Sequence, residues 1–133
     1  VDFHRRHKYL LLAHSPKHYS ELGRVVAQGR KVPRAQLRDG YGRLFMEGMA
    51  RKATVGKHYN VLQHMAGHFK KLLDQADRQE LAQVCQDFRD GLVPLVVPVT
   101  LIRHHVRRHA LSYLEGQTYL EPHPKEMMLR NHV

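Results

Sequence analysis

The chain has 133 residues, which fits one domain with one core and needs no staple to fold. Its 42% hydrophobic and 26% charged residues are ordinary, but 22 Lys and Arg stand against 12 Asp and Glu, with 12 His besides. The formal charge of +10 predicts a polyanionic partner, nucleic acid ahead of a membrane surface, while the single cysteine, Cys85, excludes an internal disulfide, a thiolate zinc site and an iron–sulfur cluster held by this chain alone.

One cysteine also fits a reducing, cytoplasmic compartment. The longest apolar run, residues 92–102, carries two prolines and falls well short of the roughly 20 residues of a membrane span. The opening Val1-Asp2-Phe3-His4-Arg5-Arg6 is too charged for a signal peptide. With no initiator methionine, residues 1–133 are expected to be a single domain cut from a longer protein.

The elements read as helices throughout. Phe3, His7, Leu10 and Leu11 share one face of a first helix. Ser15-Pro16 is an N-cap followed by proline at the first helical position, opening a second helix with Tyr19, Leu22, Val25 and Val26 inward and a stop at Gly29. Pro33 opens a third, carrying Leu37, Tyr41, Leu44, Phe45 and Met49, which Gly40, Gly42 and Gly48 each weaken by about 1 kcal/mol. A fourth begins near Gly56, with Val61, Leu62, Met65, Phe69, Leu72 and Leu73 as its stripe. Asp77-Arg78-Gln79-Glu80 has the form of a capping box for a fifth helix, with Leu81, Val84, Cys85 and Phe88 inward and an end near Gly91. The valines of 92–102 suit a buried strand, but Pro94 and Pro98 favour a buried helix from one of those prolines to about His109. From Ser112 the chain reads as irregular, with a last turn at residues 125–129. The expected fold is all-α, a single bundle of about six helices with an irregular C-terminal tail.

Charge is unevenly placed. Residues 1–71 hold 15 Lys and Arg against 4 acids, whereas residues 72–91 hold 2 against 5. The fifth helix is an acidic island that a phosphate-binding face should exclude. On the fourth helix Lys57, Asn60, His64, Gly67, His68 and Lys71 project away from the apolar stripe without a carboxylate among them. The runs His4-Arg5-Arg6-His7-Lys8 and Arg103-His104-His105-Val106-Arg107-Arg108-His109 repeat that one-signed pattern. The expected contacts to RNA are therefore Arg5, Arg6, Lys8, Lys17, Lys57, Asn60, His64, Lys71, Arg103, His104, Arg107 and Arg108.

Chemistry is less evident. His64 and His68 have a zinc-compatible spacing, but Met65-Ala66 replaces the glutamate of HExxH and nothing fixes a third ligand. Cys85 falls on an apolar face beside Asp87, as a small core residue would. Ser15 is a cap rather than a partner for His14. No phosphate loop or dinucleotide turn is present.

The strings His7-Lys8-Tyr9-Leu10-Leu11-Leu12-Ala13-His14-Ser15, His58-Tyr59-Asn60-Val61-Leu62-Gln63-His64, Gly91-Leu92-Val93-Pro94-Leu95-Val96-Val97-Pro98-Val99-Thr100-Leu101 and Gln117-Thr118-Tyr119-Leu120-Glu121-Pro122-His123-Pro124, with Leu129-Arg130-Asn131, resemble the YbgA-like domain family over almost the whole chain. Members stand alone or follow a cysteine-rich thiouracil desulfidase. The resemblance implies a non-catalytic module that positions tRNA carrying thiolated uridine for an N-terminal desulfidase domain in cis. The 4Fe-4S cluster would belong to that domain, with no cofactor in this one. The family's polar positions fall here on Lys8, His14, Tyr19, His58, Asn60, His64, Lys70, Gln117, Arg130 and Asn131, which adds His14, His58, Lys70 and Arg130 to the expected RNA contacts. The alternatives are a small histidine-dependent enzyme acting on nucleotides and a protein-docking domain.

Overall fold

A computed structural model of the chain describes residues 2–121, with Arg30 described by its backbone alone. Among these residues are six α-helices and no strand: α1 (Asp2–His14), α2 (Pro16–Ala27), α3 (Arg34–Met49), α4 (Val55–Gly67), α5 (Gln75–Arg89) and α6 (Val96–Arg108), with a short 3-10 turn at Gly29–Lys31. The all-α bundle with an irregular segment after α6 is the expected fold. The turn expected at residues 125–129 lies outside the described residues.

Helix α1 is the hub, touching α2, α3 and α4, while α5 and α6 pack on α4 and on each other. Its Tyr9, Leu12 and Ala13 enter the main core with Val61, Leu62 and Met65 of α4, Leu81, Cys85 and Phe88 of α5, and Val99, Ile102 and Val106 of α6. Leu11, also fully buried, faces α3 instead.

The start and stop signals act as their chemistry requires. The Ser15 hydroxyl accepts from the His18 amide at 3.2 Å, and Pro16 follows where no N–H is missed. Thr54 caps α4 in the same way. Pro98 is the third residue of α6, so the donor it lacks is one that a helix leaves unpaired, and the buried valines build a helix. α5 ends in a Schellman motif at Gly91, φ +78°, with Gly91 N donating to Phe88 O and Leu92 N to Asp87 O. α6 ends in the same pattern on Ala110, φ +48°.

Several elements depart from expectation. The cap of α5 is Asp74, whose Oδ1 accepts from the Asp77 amide at 2.8 Å, so Asp77 lies inside the first turn and helps neutralise its exposed N–H groups. α4 ends at Gly67, where three-residue turns take over, and this leaves Phe69 and Leu73 buried but Leu72 exposed. On α1 the core face is that of Tyr9, Leu12 and Ala13, while Phe3 is half exposed. On α2 only Leu22 and His18 are buried. α3 buries no apolar side chain fully; its buried residue is Gly48. The segment after α6, though irregular, is core: Leu114, Gln117, Tyr119 and Leu120 are buried.

Candidate functional site

Residues 111–121 fasten one end of the bundle. Thr118 bonds Arg6 O through both its amide (2.9 Å) and its hydroxyl (2.7 Å), and Gln117 Nε2 donates to Arg5 O. Arg5 in turn donates to Glu115 O at 3.2 Å. Glu115, Gly116 and Gln117 share a hollow of about 130 Å³ with Arg103 and Arg107 of α6. The beginning of α1 and the later part of α6 are thereby held on either side of the same strip of chain.

The same strip reaches α4 through Tyr113. Lys8 donates to the Tyr113 hydroxyl at 2.5 Å and lies 4.0 Å from the ring centre, a cation over an aromatic face. The Tyr113 ring lies 4.4 Å from that of His68, whose Nε2 is 2.9 Å from the Tyr9 hydroxyl. Burial and the charges of Lys8 and His64 lower the His68 pKa, so the ring that shares this hydrogen bond with Tyr9 favours its neutral form. Past His68, the Phe69 ring lies 5.9 Å from His105 and brings exposed Lys70 and Lys71 toward α6. One pole of the bundle gathers Arg5, Arg6, Lys8, His64, Lys70, Lys71, Arg103, His104, Arg107 and Arg108, and the start of the acidic helix α5 lies there too: Arg78 bonds the Lys70 carbonyl at 3.2 Å, and the charges of Asp77 and Glu80 reach His105. α4 and α6 both point their C-termini there, where their dipoles favour cations.

Three expected contacts lie elsewhere. Lys57 is tied down by the His14 and Lys52 carbonyls at 3.0 and 2.9 Å, and His14 Nδ1 bonds Arg51 O at 2.9 Å. This pair sits at the far end of α1, about 13 Å along the helix from Arg5, and exposed Lys17 follows it on α2. His58 is a correction: it is 1% exposed and 2.7 Å from the Tyr119 hydroxyl, so it is a core group and meets no external phosphate. Its place in a polar string hid this, because its partner is 61 residues away. Asn60 is half buried, and Arg130 lies outside the described residues. Tyr113 and Thr118, which complete the pole, have no sequence signal beyond lying in an irregular segment.

Burial pushes the pKa of Tyr9 and Tyr19 up and that of Cys85 up to about 11, so each keeps its proton at neutral pH. Ser15 Oγ is 2.7 Å from His18 Nδ1, and Glu47 is 3.6 Å from His18 Nε2. This resembles a triad only in composition, since Ser15 is 5% exposed and its oxygen already caps α2. Among the described residues no three His, Cys, Asp or Glu side chains are grouped to hold a metal, and His68 is engaged by Tyr9. No described helix is long and apolar enough to cross a membrane.

The profile of a family described as "Protein of unknown function (DUF1722)" matches residues 8–124. The chain is 33% identical over 135 residues to "Uncharacterized protein YbgA" of Escherichia coli (strain K12), a match covering 98% of this chain and 78% of that protein. No solved structure matches.

Proposed function

We propose, for a chain that belongs to the DUF1722 family of YbgA-like proteins, the role of a non-catalytic module that binds structured RNA. The observation that carries this reading is the pole just described. Among the described residues no carboxylate lies within 4.0 Å of Lys8, Lys70, Lys71, Arg107 or Arg108; the only arginines so paired are Arg5 and Arg6, both with Asp2. Glu115 and Glu121 line the hollow beside Arg103 and Arg107, and Asp77 and Glu80 act on His105, but cations that no carboxylate contacts keep their charge for phosphates, which release their counterions on binding. Helix ends presenting cations read backbone and shape rather than base edges, which the deep major groove of A-form RNA hides. Folded tRNA is the ligand of choice in this reading, and an N-terminal iron–sulfur desulfidase in cis, implied by the family resemblance, would supply base selection and chemistry.

The test is an electrophoretic shift with a tRNA transcript and with duplex DNA of similar length. With about five phosphate contacts, raising salt from 50 to 200 mM should weaken tRNA binding on the order of a hundredfold or more. The K70Q/K71Q/R107Q/R108Q variant should bind more weakly with its melting temperature nearly unchanged. Affinity indifferent to salt, or indifferent to these four substitutions, refutes the reading.

A further inference from the structure

On the opposite flank of the start of α1 lies a groove of about 810 Å³, bounded by the end of α2 and the first half of α3. Phe3, Leu37 and Tyr41 supply apolar wall, and His4, Arg34 and Arg38 its charge and hydrogen-bonding groups. Among the described residues no carboxylate lines it, and neither arginine has one within 4.0 Å. Arg34 and Arg38 stand one helical turn apart, about 6 Å along α3, on the same face. The Tyr41 hydroxyl is 2.9 Å from His4 Nδ1, which pins the ring, and burial pushes its pKa up to about 12, so it stays neutral. Phe3, 48% exposed, stands edge-on to Tyr41 with ring centres 6.0 Å apart.

We propose that this groove takes an unstacked nucleotide of a single-stranded RNA segment, its base against Tyr41 and Phe3 and its phosphate on Arg34 and Arg38. The inference rests on the RNA-binding reading above and adds a place for an unpaired base. A base offers a flat apolar face joined to an anion; the groove offers Tyr41, stacked toward Phe45 on one side, and Phe3, whose one face His7 covers at 4.0 Å, beside two guanidiniums that no described carboxylate contacts. The size suits such a ligand, being within the usual range for small-molecule pockets. The groove is joined to the basic pole by α1, whose successive residues place His4 on Tyr41 and Arg5 on Glu115. A strand crossing the first turn of α1 meets both.

The experiment uses the full chain and a fluorescein-labelled penta-uridine, followed by anisotropy, beside the tRNA shift assay. R34Q/R38Q, whose altered side chains are exposed, should bind penta-uridine about tenfold more weakly or worse, while R43Q/R51Q, an equal loss of charge outside the groove, should not. Y41L should lose a similar factor through stacking. Ultraviolet cross-linking of 5-bromouridine-substituted pentamer should label the peptide holding Phe3 or that holding Tyr41. Equal affinity of R34Q/R38Q and the parent chain, or cross-links confined to other peptides, overturns the proposal while salt-dependent tRNA binding leaves the broader reading standing. Failure to bind tRNA and penta-uridine alike removes both readings.

Discussion

Two glycines of α3 should respond with opposite signs to the same substitution. In a helix interior Gly→Ala is favourable by about 1 kcal/mol, from backbone entropy. At Gly40 a Cβ would meet nothing within 4 Å, so G40A should realise that gain. At Gly48 it would stand 2.7 Å from Leu11 Cδ1 and 2.8 Å from His18 Cβ, where unstrained carbon contacts are about 3.5–4.0 Å. Neither neighbour has an easy escape. Leu11 is 0% exposed, and a Cβ such as that of His18 moves only with the backbone of α2. Such overpacking costs about 1–3 kcal/mol, so taking about 2 leaves G48A destabilised by about 1 kcal/mol after the propensity gain. The two variants should differ by about 2 kcal/mol, which for a chain this long is roughly 6–10 °C in melting temperature. Thermal and urea unfolding followed by circular dichroism at 222 nm measures this. If G48A melts as high as G40A, α3 does not pack on α1 and α2 at the approach described.

Two further outcomes follow from the same structure. A110G should raise stability by about 0.5–1 kcal/mol, because the Schellman end of α6 holds Ala110 at φ +48° and glycine relieves that strain at some entropic cost; unchanged or lowered stability in urea melts would contradict the geometry. His105 is 3% exposed with its pKa lowered, chiefly by burial and then by His104, with Asp77 and Glu80 acting oppositely. Its unfolded form takes up the proton first, so stability is whole above about pH 6.5 and falls as pH drops toward the lowered folded value. His4 and His68 act in the same direction. H105Q should lose less melting temperature than the parent chain between pH 7.5 and 5.5, and an equal or greater loss would refute this.

What could be read from sequence was what short-range chemistry dictates. Ser15-Pro16 and Gly91 act within four residues of themselves, and Pro98 excludes a strand by its own missing donor. The capping box at Asp77 failed because two aspartates stand three apart and either could cap; the structure uses the first. Contacts distant in sequence left no local trace. Gly48 looked like a weak point of a helix and is the place where α3 meets α1 and α2. Gln117 and Tyr119 sat in an apparently loose tail and are wholly buried, because their partners, Arg5 and His58, lie 112 and 61 residues away. The one-signed charge of three segments was legible, but which of its members share a surface was decided by the strip 111–121.

The histidines have a different role from the one their number suggests. Twelve of them in so basic a chain invite a reading as phosphate ligands or proton carriers. Four of those described join distant segments of the fold instead. His4 meets Tyr41, His68 meets Tyr9, His58 meets Tyr119, and His14 binds the backbone that follows α3. A ring with two nitrogens spans a helix interface where an apolar side chain would leave a hydroxyl or carbonyl without a partner, which is costly when buried. His64 and His104 remain on the surface, beside the lysines and arginines of the basic pole. The case for a polyanion therefore rests on the guanidinium and ammonium groups, whose charge does not change near neutral pH. Binding that follows Lys70, Lys71, Arg107 and Arg108 should accordingly keep its salt dependence from pH 7 to 8.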